Sequence, residues 1–213
     1  MPTFNQINEK LLEVKISKET VYAKRGAMIC CTGDVLFARS FLGGQGVRDL
    51  AMRTATSEGM QLMEATGSGT IFYGYQGLFV TIINVRNDTL YIESDSVLAY
   101  DEEMTSGTMF LGNQGGVSGI LRGAVSGQGL FTTTLKGTGE VAILSDGNAI
   151  GLPVTPDRPV FVDPNAYIGH LGQLTSAIVT DVNWKTFVGQ ASGESYQVKF
   201  SGQGTVYIQA SER

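Results

Sequence analysis

The stretch ETVYAKRGAMICC, residues 19–31, reads as a strand, a four-residue turn and a second strand, and the chain writes that sentence twice more. The later copies are DTLYIESDSVLAY at 88–100 and RPVFVDPNAYIGH at 158–170. Set in register, Thr20-Val21-Tyr22-Ala23 falls on Thr89-Leu90-Tyr91-Ile92 at a step of 69, and that segment on Pro159-Val160-Phe161-Val162 at a step of 70. The turns KRGA, ESDS and DPNA place Gly26, Asp95 or Asn165 third, residue types that accept a positive φ, and Pro164 presets a turn φ of about −65°. Beyond each turn MICC, VLAY and YIGH resume the apolar run, so each copy is expected to be strand, turn, strand.

A second signal follows each copy. GMQLMEATGSGTIFYG starts at Gly59, GLFTTTLKGTGEVAIL at Gly129 and ESYQVKFSGQGTVYIQ at Glu194, so the steps are 70 and 65. The Gly-x-Gly at 67–69, 137–139 and 202–204 lies between two alternating segments, where glycine supplies left-handed or bulge geometry, and predicts a second hairpin or a sharply bent strand. Between the two signals, copies one and two share LGGQGVRDLAMR (42–53) and LGNQGGVSGILR (111–122), with Val47, Leu50 and Ala51 on Val117, Ile120 and Leu121. Apolar residues at i, i+3 and i+4 predict a marginal helical turn there, weakened by Gly119 and its neighbours. The chain therefore reads as one domain over 1–213, an internal triplication of about 19–87, 88–157 and 158–213 behind a short N-terminal segment. Units that cannot close their own core must pack on one another.

Composition agrees with an all-β class. Of 213 residues, 28 are glycine and only 16% are charged, while Val, Ile, Thr and Tyr recur in short alternating runs, as strands joined by tight turns require. The net charge of −5 with scattered basic residues lacks the footprint of a phosphate-backbone binder and argues against nucleic acid. The opening MPTFNQINEKLLEVKIS has no secretory leader pattern, and the longest apolar run, LFVTIINV at 78–85, falls far short of the roughly 20 residues that span a bilayer. No transmembrane segment is expected, and the reading is cytoplasmic. Cys30 and Cys31 are adjacent, a spacing that suits neither a metal knuckle nor an ordinary disulfide, so both are expected as reduced thiols.

Little in the chain supports catalysis. None of the five Gly-x-Gly occurrences completes a dinucleotide fingerprint, and no Gly-Lys-Ser or Gly-Lys-Thr is present for a P-loop. With one histidine, the chain cannot build a two-histidine, one-carboxylate metal site within a protomer, so no metal or other cofactor is expected. Hydrolysis would recruit His170 as base with Cys30, Cys31 or a serine as nucleophile. Cys31, Tyr100 and His170 share one place in their repeats and would converge if the repeats surround an axis; the bland alternative is three satisfied strand ends. Asp101-Glu102-Glu103 could hold a hard cation but reads first as a solvated turn. Trp184 and Phe187 read as core. The apolar residues of the glycine-rich loops, with Arg48, Arg53 and Arg122 beside them, read equally as core cover or as a contact surface. That candidate surface comprises Val47, Arg48, Leu50, Arg53, Val117, Ile120, Leu121 and Arg122.

The segments GLFTTTLKGTGEVAIL, VDPNAYIG and the terminal KFSGQGTVYIQ resemble the family named for altered inheritance of mitochondria, which includes many bacterial proteins of unknown function. The resemblance covers nearly the whole chain, and Gly-x-Gly-x-Val-Tyr-Ile-Gln with its upstream Asp-Pro turn is its most specific part. It implies a fold like that of the tryptophan RNA-binding attenuation protein superfamily, a double-stranded β-helix or β-sandwich, assembled as a homo-oligomer with a trimer favoured. It carries over no catalytic residues and no RNA binding, since a shared fold does not transfer a ligand. The N-terminus lacks the Arg- and Ser-rich character of a transit peptide and fits a cytosol better than a mitochondrion.

Three functions follow as expectations. The first is a non-catalytic, oligomeric β-repeat protein that binds a partner or scaffolds an assembly through the loops at 42–53 and 111–122. The second is a small-molecule-binding protein or weak enzyme using His170, Tyr100 and Cys31. The third is a regulator contacting nucleic acid through a local basic face.

Overall fold

Leu12, Val14 and Ile16 are buried at even positions, and beyond Lys18, Val21 and Ala23 are buried at odd ones. A strand turns alternate residues to opposite faces, so a single extra residue must have reversed the phase. Lys18 is that residue: its φ is 64°, and the register with the neighbouring strand slips between Ser17 and Glu19. A second long strand repeats the device. Ile83 and Val85 give way to Leu90 and Ile92 across Asn87, whose φ is 49°.

The structure, a computed structural model, describes residues 1–40, 61–110, 131–179 and 197–210. Its strands are β1 (Thr3–Asn8), β2 (Leu11–Lys24), β3 (Met28–Ser40), β4 (Leu62–Tyr73), β5 (Phe79–Glu93), β6 (Val97–Asp101) and β7 (Thr105–Phe110). They continue as β8 (Phe131–Ser145), β9 (Ile150–Val154), β10 (Val160–Val162), β11 (Tyr167–Val179) and β12 (Gln197–Ile208). One 3-10 turn, Ser94–Ser96, joins β5 to β6. The chain is all-β. Among the described residues the strands form one antiparallel sheet in the order β10, β12, β11, β5, β8, β6, β2, β4, β3, with β1 on β2, β7 on β8 and β9 on β12.

The strand, turn, strand reading of the opening stretch is met: β2 turns at 25–27 into β3, closed by Ala27 N–H donating to the Lys24 carbonyl at 3.1 Å, but the two strands do not pair with each other, since β4 lies between them. The turn chemistry differs from expectation at two of the three sites. Only Gly26 takes a positive φ, of 80°. Asp95 lies in the 3-10 turn instead, and at the third turn Ala166 N–H donates to the Asp163 carbonyl at 3.0 Å while Asn165 N–H donates to Oδ1 of Asp163 at 2.8 Å. Right-handed turn backbone needs no positive φ, so the third place is free of that demand.

The Gly-x-Gly motifs at 67–69, 137–139 and 202–204 each lie inside an unbroken strand, so the bent-strand alternative holds over the hairpin. Gly67, Gly137 and Gly202 have φ of 138°, 141° and 122° in β4, β8 and β12. At Gly67 and Gly202 a Cβ would strike the facing carbonyl oxygens of Asp34 and Gln173, so the close approach of the paired backbones excludes a side chain.

The core divides into three clusters. The first joins Val14 and Ile71 of β2 and β4 to Leu98 and Leu144 of β6 and β8. The second joins Leu90, Ile92 and Leu135 to Ile168 of β11. The third, with Val162, Phe200 and Val206, lies within β9–β12. Full burial of each large aliphatic side chain is worth about 1.5–3 kcal/mol, so the strands from early and late parts of the chain are held to one another mainly by the first two clusters.

Candidate functional site

The strongest concentration of chemistry is where β5 meets β11. Three residue pairs make that junction, Gly169 with Ile92, His170 with Tyr91 and Leu171 with Leu90. The pairing puts the His170 ring on the Tyr91 ring, with centroids 4.6 Å apart and planes 13° from parallel. Phe200 of β12 closes another side at 5.4 Å, and Tyr167 stacks on Phe200 at 5.4 Å. His170 is 1% exposed. Its Nδ1 is hydrogen-bonded to the Tyr167 hydroxyl at 2.7 Å, and Nε2 has no hydrogen-bond partner among the described residues.

Electrostatics follow from that enclosure. Burial lowers the His170 pKa to about 4, because charging an imidazole among aromatic walls forfeits its hydration. Burial also raises the Tyr167 phenol well above its ordinary value. Both groups are neutral near pH 7. A general base needs a pKa near the working pH and reach to a substrate atom. His170 has neither in this form; its ring fills space and orders β11 through Tyr167.

Tyr100 meets a parallel arrangement one junction earlier. Val21, Tyr22 and Ala23 of β2 pair with Asp101, Tyr100 and Ala99 of β6, and Tyr22 stacks on Tyr100 at 5.3 Å. Tyr100 is buried in the second core cluster. Cys31 differs from both. It lies on β3 as an exposed free thiol beside exposed Cys30. It sits close enough to Tyr73 that its charge, after burial, helps push that phenol upward. The sequence-matched trio thus occupies two buried ring stacks and one open strand.

The acidic run departs from the solvated reading at its first member. Asp101 is 1% exposed, and its carboxylate accepts from Glu103 N–H at 3.0 Å, which ties the β6–β7 turn. Burial raises its pKa. Glu102 is exposed and accepts from Thr20 N–H at 3.1 Å. Among the described residues no group of three His, Cys, Asp or Glu side chains is arranged to hold a metal ion. The loop candidates Val47, Arg48, Leu50, Arg53, Val117, Ile120, Leu121 and Arg122, like Trp184 and Phe187, lie outside the described residues.

Tyr22, Tyr91 and Tyr167 were not singled out from the sequence. The signal was present: Tyr22 and Tyr91 fall at one repeat place, as do Tyr100 and His170, but which places pair across repeats is a matter of topology.

The family model for mitochondrial biogenesis AIM24 matches residues 3–211. The chain belongs to this family. No match was found among curated proteins. Among solved structures, protein SPYM3_0169 from Streptococcus pyogenes is similar over 100% of this chain and 94% of its own, with a TM-score of 0.70 and 18% identity. That likeness is one of fold. No helix among the described residues is long and apolar enough to cross a membrane.

Proposed function

We propose that this AIM24-family chain is a non-catalytic, oligomeric β-repeat protein that binds a partner or scaffolds an assembly. In this reading it is a single domain of three units, about 19–87, 88–157 and 158–213, which contacts other chains through the loops at 42–53 and 111–122. The observation that carries the reading is apolar surface left on strands: Ile29, Leu36 and Phe161 are 62%, 75% and 49% exposed. Ile29 and Leu36 lie on β3 and Phe161 on β10, the strands at the two ends of the sheet, where apolar side chains left in water mark candidate contact surfaces. The sealed state of His170 supports the non-catalytic half. Free thiols at Cys30 and Cys31 support a reducing compartment such as the cytosol.

Native mass spectrometry of gently purified protein tests the reading, alongside a variant carrying Leu50→Asp and Ile120→Asp. A defined multimer that the double variant loses, or a partner it no longer captures, is the expected result. An unchanged multimer and unchanged partner capture would remove the loops from the proposal, and a single-chain mass at every concentration would remove the oligomer.

A further inference from the structure

The two ends of the sheet are not alike in sequence, but each is one half of a contact the chain makes twice within itself. At the first internal junction β2 lies on β6 with Tyr22 opposite Tyr100; at the second, β5 lies on β11 with Tyr91 opposite His170. The registers are the same in repeat numbering. Steps of 69 and 70 carry Val21↔Asp101 onto Leu90↔Leu171 and Ala23↔Ala99 onto Ile92↔Gly169. Applied once more, the same steps bring Val160, Phe161 and Val162 of β10 opposite Thr32, Cys31 and Cys30 of β3.

Within one chain that third junction is not made. β10 pairs with β12 and β3 pairs with β4, and they are the two terminal strands of the path. Yet β3 has the backbone of an accepting strand. It slips register against β4 between Met28 and Cys30, as β6 does against β8 between Val97 and Ala99 and β11 against β12 between Tyr167 and Gly169. Burial separates the three. Val97 to Tyr100 and Tyr167 to His170 are buried, whereas Met28 and Ile29, apolar residues at the same places, are exposed. The donor side tells the same story: Tyr22 and Tyr91 are half-buried at their junctions, and Phe161 is exposed.

Exposed strand edges carry unpaired peptide groups and invite another strand. Here the acceptor on one end has the register, the bulge and the apolar residues that match the donor on the other end. We propose that β3 and β10 are the two halves of a head-to-tail contact between copies of this chain, with Phe161 of one copy lying opposite Cys31 of the next. The occupant of each edge is a second copy, because the internal junctions show what fits there. A contact of this kind joins unlike surfaces, so it builds a ring if the rotation closes and a filament if it does not. The inference rests on the oligomeric reading above but uses a different surface from the loops.

Directly opposed residues on antiparallel strands hold their Cα atoms about 4.5–5.5 Å apart, within the reach of a disulfide. The test is a variant with Cys30→Ser and Phe161→Cys, oxidised with copper phenanthroline and run without reductant beside native mass spectrometry. The expected result is a ladder of covalent multimers, with the link mapped to Cys31 and the thiol introduced at position 161, and no ladder when Cys31→Ser is added. A multimer mass without that link, or a link formed within one chain, overturns the interface while leaving the oligomer standing. A single-chain mass at all concentrations overturns both. Phe161→Asp is the second arm: a folded variant whose dissociation constant rises tenfold or more agrees with the contact, and one unchanged within twofold sinks it.

Discussion

Tyr91 and His170 lie face to face at 4.6 Å although 79 residues separate them along the chain, each contributed by a different strand of the β5–β11 junction. The stack places the chain's single histidine where water cannot reach it, and that placement controls how the fold responds to acid.

Stability should fall as pH drops from 7 to 4 through His170. The folded pKa of about 4 lies below the ordinary 6.5, so between those values the unfolded chain takes a proton that the folded chain refuses. The loss approaches about 3 kcal/mol at the acid end, as an upper bound from the shift. His170→Phe should flatten this part of the curve when urea midpoints are followed across the range. Because the chain has one histidine, its ring resonances in NMR report His170 alone, and titration near pH 6.5 in the folded state would contradict the burial argument.

Removing the Tyr167 hydroxyl should expose the cost of enclosing that ring. Tyr167→Phe leaves Nδ1 without the 2.7 Å hydrogen bond and should destabilise by about 1–2 kcal/mol. Tyr91→Leu keeps the hydrogen bond and loses the stack, for which about 0.5–1.5 kcal/mol beyond the area change is expected. Chemical denaturation of both variants reads the two contributions separately; equal stability of Tyr167→Phe and the parent would show the hydrogen bond contributes nothing.

The strand glycines should sort by their surroundings. Gly67→Ala and Gly202→Ala drive a Cβ into facing carbonyl oxygens at positive φ and should each cost about 2–3 kcal/mol. Gly26→Ala also has a positive φ but meets nothing within 4 Å, so only the backbone penalty of about 1 kcal/mol applies. Thermal midpoints in that order are the expected outcome, and equal losses at all three would refute the close-approach account.

Asp101→Asn should raise stability slightly at neutral pH. Burial raises the folded pKa of Asp101, so its favourable contribution is present at low pH and lost as pH rises through that value. Asparagine keeps an acceptor for Glu103 N–H without a charge to desolvate. The gain is discounted for the part of the group that water screens and should amount to a few tenths to about 1 kcal/mol at pH 7, vanishing in acid. A loss at pH 7 would show that the charge itself holds the turn.

How much of this was legible beforehand depended on whether a feature is local. The strand, turn, strand at 19–31 and the strand character of Leu62–Tyr73 follow from alternation and turn residues. The bend at each Gly-x-Gly was readable as a need for unusual backbone, but hairpin and bent strand could not be separated, because both use the same glycine geometry. Lys18 gave no composition signal, since its left-handed backbone is imposed by the bulge, whereas Asn87 is a residue type that accepts a positive φ but nothing local marked it as a bulge inside a strand. Burial of Asp101 was hidden too: a carboxylate in a charge run looks solvated until β2 is laid beside it. The stacks Tyr22–Tyr100 and Tyr91–His170 required knowing which strand meets which, and that information resides in tertiary pairing.

The order in which β2, β6, β5 and β11 occur along the chain has a consequence for how the protein is born. β2 waits for β6, and β5 waits for β11, about 70 residues later in each case, which is roughly 4–14 seconds of translation at ordinary rates. During each wait the nascent chain displays an uncovered aromatic, first Tyr22 and then Tyr91. Synthesis moves this vulnerability along the chain, and in the folded structure Phe161, the equivalent position, stays exposed.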